Sequence, residues 1–453
     1  MGGAPFRVVR VSEPGAQVLD AWESGAPVGA AEAAAALARN LTDSGIAVPI
    51  VGSRPIGAGA GVSIVIPVHD RPDGLLVTLR ALRDLTGPGG AMEVLVVDDG
   101  SSDDGSVPAT IAAAGVGASV LRRPERGGPA AARNTGWRSA KGPTIAFIDA
   151  DCVPAKGWLD ILLPHLDDPS VAAVAPRVPS SAADLPGRPA ASWLTRYEAV
   201  RSPLDLGATA APVRPGSHVS YVPSAALVVR RDVLEEAGGF DEAMPVGEDV
   251  DLVWRLAAAG WRVRYEPGAL VWHPPRSSLG GLLRQRHLYG TSAQPLAARH
   301  GSAVTPLVLA WPSALAWAAA LGGPPAVAAA AAAGAIGWSA WRLRGVTGLP
   351  ARGAARLALS GHVSGGRAMA EAIRRAWWPL ALAAGVMAPR RVRAPAVVAV
   401  APLLLEWQRA GRPLDPLRWV LLRLADDVAY GSGVWAGCWR GRSGRALLPR
   451  IIY

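Results

Sequence analysis

Between residues 62 and 300, short apolar runs alternate with helical stretches. Each run closes in a turn rich in Asp, Gly or Pro. Val62-Ser63-Ile64-Val65-Ile66, Glu93-Val94-Leu95-Val96-Val97 and Thr144-Ile145-Ala146-Phe147-Ile148 are the clearest runs. Continuous apolar runs this short, separated by helix-length segments, are the mark of strands covered on both faces. The pattern predicts an α/β fold with a Rossmann-like, largely parallel sheet. Such a sheet takes its ligand in the crevice beyond the carboxyl ends of its strands. The residues that close the runs are therefore the first candidates for chemistry.

Three regions differ in composition: residues 1–51, 62–300 and 301–453. Val8, Val9 and Val11 predict a short strand. Residues 14–23 and 30–44 predict helices, with Gly45 ending the second. Residues 52–61 (GSRPIGAGAG) read as a linker. The net charge is +10, but the basic residues of the last region flank apolar runs and include no stripe of stacking aromatics. That distribution fits anionic lipid or substrate phosphate and excludes a nucleic-acid binder. The only cysteines, Cys152 and Cys438, form no disulfide framework or zinc spacing, which points to a reducing compartment. No secretory leader is evident near Met1.

Half of the residues are apolar, a high share for a soluble enzyme. Residues 303–322 have the length of a membrane span, and 325–341 reach its short limit. Residues 395–407 suit a buried or interfacial helix. Trp311, Trp317, Trp338 and Trp341 lie where interfacial belts place aromatics. A membrane-associated helical region on the cytoplasmic side is the expectation, with the number of passes left open. Ordinary soluble packing of Ala-rich helices is its alternative.

Asp149-Ala150-Asp151 follows the run that ends at Ile148. Residues at i and i+2 of a strand share a side, so two carboxylates stand together at this strand end, an arrangement suited to Mg2+ or Mn2+ held together with substrate phosphates. Asp98-Asp99 close the preceding run, before Gly100-Ser101-Ser102. Asp99 can accept from a nucleobase imide or a ribose hydroxyl; an Asp-Gly turn capping a helix is the plainer reading. Arg133 and Asn134 fall on a helix, with Arg133 either exposed or touching base or phosphate. Glu248-Asp249 follow Gly247; acidic residues there also suit a helix N-terminus on electrostatic grounds alone. His273 follows a strand, and neutral imidazole binds Mn2+-like ions.

The segments VSIVIPVHDR, VLVVDDGSSD, AAARNTGW and FIDAD, in this order, resemble the family 2 glycosyltransferases. The resemblance covers roughly residues 62–290. It implies the nucleotide-sugar-binding GT-A fold, with Pro67 to His69 and Asp99 lining the nucleoside pocket and Arg133 near the nucleotide. Asp149 and Asp151 would bracket ribose and metal, with Asp151 the metal ligand. The later segments GGFDEAMPVGEDVDL and VWHP are similar to the acceptor side of the family. They imply Asp249 as the base, Glu248 beside it on the acceptor side, and His273 as a further metal ligand. Arg284 and Arg286 would meet the acceptor or the leaving diphosphate. Arg284-Gln285-Arg286-His287 departs from the Gln-x-x-Arg-Trp motif of processive members, so processivity is not implied.

Residues 6–50 resemble the small winged-helix-like modules that recognise precursor peptides. The three regions together resemble the glycosyltransferases of mycofactocin systems. That resemblance implies UDP-glucose as donor, a peptide-derived redox cofactor as acceptor and a β-linked product. Two other readings remain open. One is a membrane glycosyltransferase acting on a lipid or cell-wall acceptor. The other is a non-catalytic nucleotide-sugar sensor, against which the retained Asp99, Asp151 and Asp249 argue.

Overall fold

The computed structural model describes residues 8–29, 31–53, 61–86, 92–180, 192–388 and 393–452. Most of the expected linker, residues 54–60, lies outside them. The chain divides into two compact units, Met1–Pro275 and Arg276–Tyr453. The division therefore falls about 25 residues before the boundary expected at 300.

The first unit opens with two helices, α1 (Glu13–Glu23) and α2 (Glu32–Asp43). Gly45, at φ +68°, ends α2 as the sequence predicts. The strand predicted at Val8–Val11 does not form: among the described residues these have no ladder partner. A strand is stable only when a neighbour takes up its backbone groups. Arg262 clamps α2 to the sheet through both oxygens of Asp43, at 2.6 and 2.8 Å.

The sheet strands are β1 (Val62–Val68), β2 (Met92–Asp99), β3 (Ser119–Arg123), β4 (Thr144–Ile148), β5 (Val153–Pro154), β6 (Val171–Arg177), β7 (Ala211–Pro212), β8 (Ala226–Arg230) and β9 (Arg262–Trp272). Among the described residues they form one sheet in the order β3-β2-β1-β4-β8-β6-β9-β5, with β7 on β9. β1 runs parallel to both β2 and β4; β8 enters antiparallel between β4 and β6. The chain builds outward from β1 to β3 and then returns to β4 on the other side of β1. That reversal opens a crevice beyond the carboxyl ends of β1 and β4.

Period-two alternation explains why the β1 run is apolar throughout. Ile64 and Ile66 pack with Leu75 and Leu79 of α3 (Pro72–Thr86) and Val107 of α4 (Ser106–Ala114). Val65 points to the opposite face, against α5 (Pro129–Ser139). There Gly136 lets the helix lie so close that any Cβ would collide with Val65 and Val97. Ile64 and Ile66 have no exposed surface; each contributes roughly 1.5–3 kcal/mol. Three further helices follow: α6 (Trp158–Leu162), α7 (Trp193–Arg201) and α8 (Arg231–Ala237). α9 (Glu248–Ala258) then leads into β9.

The second unit is helical: α10 (Leu279–Thr291), α11 (Ala293–His300), α12 (Trp311–Gly322), α13 (Pro325–Thr347), α14 (Ala351–Arg375), α15 (Trp378–Met387), α16 (Arg393–Arg409) and α17 (Pro416–Arg440), with a short parallel pair, β10 (Val308–Ala310) and β11 (Arg450–Ile452). Buried ion pairs join its helices, Arg286–Asp426 between α10 and α17 and Arg374–Asp427 between α14 and α17, and Arg423 pairs with Asp427 within α17. Among the described residues no helix is long and apolar enough to cross a membrane. The stretch expected to span at 303–322 is helical only from Trp311, because the preceding residues enter β10. α13 has the length but is rich in weakly apolar Ala and carries Arg342 and Arg344 near its end. Three of the four tryptophans are partly buried among the helices. Trp311 meets Trp338 edge-on at 4.8 Å, and Trp317 Nε1 donates to the His362 carbonyl. Trp341 is the exposed one.

Candidate active site

The crevice at the β1–β4 reversal gathers most of the residues that the sequence singled out; Arg284 and Arg286 are not among them. Pro67 sits in β1, past the last β1–β4 pair, Val65↔Phe147. His69 follows, its Nδ1 3.0 Å from the Asp99 carbonyl. The Asp99 side chain is buried and fully engaged. Gly127 N and Gly128 N donate to its two oxygens at 2.9 and 2.7 Å, and Arg123 Nε donates at 2.8 Å. These bonds bend residues 124–128 into the approach to α5. Asp98 is likewise engaged, by Ser101 N and Arg122.

The Asp149–Asp151 carboxylates do not share one side of a strand. β4 ends at Ile148, and the following residues make a turn closed by Cys152 N donating to the Asp149 carbonyl at 3.0 Å. The alternation that would align i and i+2 stops with the strand. Asp149 turns to Arg133 (2.7 Å). Asp151 lies between Arg71 (Nη1–Oδ2 2.5 Å) and His273 (Nε2–Oδ1 3.5 Å). His273 arrives from the far end of β9, where β5 pairs with it.

Arg133 organises the floor. It is 4% exposed and donates to Asp149 Oδ1 and, at 2.8 Å, to Glu248 Oε1. Its guanidinium lies 5.6 Å over the Phe240 ring. Burial opposes its charge, but Asp149 and Glu248 outweigh that and raise its pKa above the usual value. Asn134, next on α5, pins residues 240–242: its amide donates to the Phe240 carbonyl and to Glu242, and its oxygen accepts from Phe240 N and Trp137 Nε1. That pin aims the segment leading into α9.

At the N-terminus of α9, Glu248 is buried, and burial together with neighbouring Asp249 pushes its pKa up to about 7 against the pull of Arg133. Asp249 Oδ2 accepts from Ser224 N at 3.1 Å and Oδ1 from Val250 N at 2.8 Å. Burial raises its pKa too, opposed by the Ser224 amide and Arg133. Ser224 precedes β8, which begins at Ala226; its amide is therefore free of the ladder. Neither that contact nor the reach of Arg71 to Asp151 is visible in a motif. A strand-end polar turn at 223–224 and the Asp70-Arg71-Pro72 helix start are the only local signals.

Arg284 and Arg286 lie on α10 of the second unit. Arg284 is exposed, whereas Arg286 is buried against Asp426 at 2.9 Å.

Among the described residues, no three His, Cys, Asp or Glu side chains gather as a ready metal cage. Asp151 with His273 supplies two donors. Two protein donors suffice for Mg2+ or Mn2+ when substrate phosphates complete the shell, and the imidazole favours Mn2+.

Residues 63–238 match the model of glycosyl transferase family 2. The pre-mycofactocin glycosyltransferase of Mycobacterium tuberculosis is 39% identical over 468 residues, covering all of this chain and 94% of that protein. The glycosyltransferase AglE of Haloferax volcanii is 29% identical over 230 residues, 51% of this chain and 71% of that protein. A solved mannosyltransferase of Pyrobaculum calidifontis superposes with a TM-score of 0.47 at 19% identity, over 86% of this chain and 90% of its own. The strand order, the strand-end acids and the full-length similarity agree: the chain belongs to glycosyltransferase family 2 and is a hexosyltransferase with the α/β GT-A fold.

Proposed function

We propose that the enzyme is an inverting, divalent-metal-dependent glucosyltransferase that moves glucose from UDP-glucose onto a peptide-derived acceptor in mycofactocin maturation. The carrying observation is the Arg133 bridge. One buried guanidinium touches Asp149 at the donor-side turn and Glu248 beside Asp249. It thereby holds the proposed base close to the donor crevice. The acceptor class rests on the full-length similarity to the M. tuberculosis protein.

Asp249 is the proposed base. Each of its oxygens is oriented by one backbone amide, which leaves a lone pair for the acceptor hydroxyl. Asp249 takes that proton as the oxygen attacks the anomeric carbon. The sugar–phosphate bond breaks in the same in-line displacement, so an α-linked donor gives a β-linked product. No nucleophilic side chain is needed. Asp151 and His273 would hold the metal ion, which, when bound, offsets charge on the leaving diphosphate.

The raised carboxyl pair sets the acid limb of activity. The base must be unprotonated, so kcat/KM should fall as pH drops through the raised value. The pair titrates jointly, and its limb is expected above the ordinary carboxylate range, because burial raises both carboxyls. A limb at pH 4–5 in a pH–kcat/KM profile would remove the pair from the rate law.

The deciding assay is UDP release from UDP-glucose with Mn2+, with and without the peptide-derived acceptor. Release stimulated by acceptor, abolished by EDTA and restored by Mn2+, is expected. Tight UDP-glucose binding with no release under any acceptor would shift weight to a sensor.

The second reading, a lipid or cell-wall acceptor at the cytoplasmic membrane face, draws on α15. None of its residues is buried, and Leu382, Val386 and Met387 stand exposed. Comparing depletion of membrane and peptide extracts as acceptor sources separates the two.

A further inference from the structure

The loop between β1 and α3 carries a side chain that the mechanism leaves unused. Arg71 reaches from the carboxyl end of β1 to Asp151 beyond β4, with Nη1 2.5 Å from Oδ2. It closes the crevice at the point where the strand order reverses, the place where sheets of this kind take their ligand. His273 faces the other oxygen of the same carboxylate.

The backbone aims Arg71 there at a cost. Asp70 holds φ +49°, unusual for a residue other than glycine. Three contacts keep it in place: Ser102 N and Ser102 Oγ donate to Asp70 Oδ1 at 2.8 and 2.9 Å, and Asp70 N donates to Ser101 Oγ at 3.1 Å. α3 starts one residue after Arg71, and its first turn presses on the Asp149–Asp151 turn. A Cβ on Gly74 would come within 3.0 Å of the Ala150 carbonyl oxygen and 3.2 Å of Asp151 Cβ. Strain held by several independent contacts points to function. The partners also differ in exposure: the Arg71 side chain is 52% accessible and Asp151 only 14%. The cation can swing out while the carboxylate stays.

We propose that Arg71 is a resident countercation of Asp151, which it occupies while the crevice holds no donor and leaves for the donor diphosphate when metal and nucleotide bind together. This rests on the nucleotide-sugar reading above. A guanidinium on Asp151 Oδ2 competes by charge with a metal ion for the same carboxylate, whose other oxygen faces His273. Mn2+ alone therefore binds weakly, and Mn2+ with UDP binds well, because the diphosphate offers the guanidinium a new partner. The resulting order discourages an idle metal site.

The test is Mn2+ binding to the full chain, read from the electron paramagnetic resonance of free Mn2+, with and without UDP. Arg71→Gln should bind Mn2+ alone about tenfold more tightly, as expected for removing a like charge at contact distance. In the presence of UDP it should bind Mn2+ and nucleotide about tenfold more weakly. Arg71→Lys, which keeps the charge, should stay near wild type for Mn2+ alone. Wild-type affinities for Arg71→Gln in both conditions, with binding lost in Asp151→Asn, would overturn the proposal and leave the metal reading standing. Unchanged Mn2+ binding in Asp151→Asn would overturn the metal assignment and the proposal together.

Discussion

Asp249→Asn should lower kcat by about 10²–10⁴-fold, the usual contribution of a positioned general base, with donor affinity unchanged. The amide keeps an oxygen for one of the two backbone donors, Ser224 N and Val250 N, so the start of α9 should hold its place. The loss then reports proton transfer rather than folding. Glu248→Gln is the informative partner. Glu248 already accepts from Arg133, and Gln can still accept there, so its effect on kcat should be clearly smaller. The measurement is steady-state UDP release with calorimetric donor binding, on proteins with wild-type circular dichroism. Full turnover in Asp249→Asn would sink the assignment; a larger loss in Glu248→Gln would transfer the role to Glu248.

Arg133→Met should destabilise the first unit by about 3–5 kcal/mol, the cost of leaving buried charge without its counterion. Glu248, 8% exposed, would carry most of it; Asp149 can rehydrate at 30%. The double variant Arg133→Met/Glu248→Gln should recover part of the loss, since removing both charges leaves less uncompensated than removing one. Chemical denaturation followed by tryptophan fluorescence reads both. A single-variant loss under about 1 kcal/mol would mean that the bridge is replaceable by solvent.

Much of the catalytic unit was legible because local chemistry and fold agree there. The runs at 62–66, 93–97 and 144–148 became β1, β2 and β4 because each is apolar on both sides and helices cover both faces. The carboxyl-end acids lie at the crevice for the same reason. The second unit was harder to read. Ala-rich helices have no strong preference between lipid and protein, so composition left residues 303–322 open, whereas tertiary pairing drew 308–310 into β10 and shortened the helix. The N-terminal strand failed likewise, for want of a partner that no local pattern supplies.

The sequence by itself determined which side chains stand at the strand ends and that the chain folds around an α/β sheet, since burial on two faces writes itself as continuous apolar runs. Only the tertiary structure decided their partners: Asp149 to Arg133, Asp151 to Arg71 and His273, Asp249 to the Ser224 amide. Those contacts join residues 16 to 122 positions apart in the chain. Charge and spacing define the groups that need a partner, but only the folded backbone sets which one comes within about 3 Å, the range in which a hydrogen bond forms.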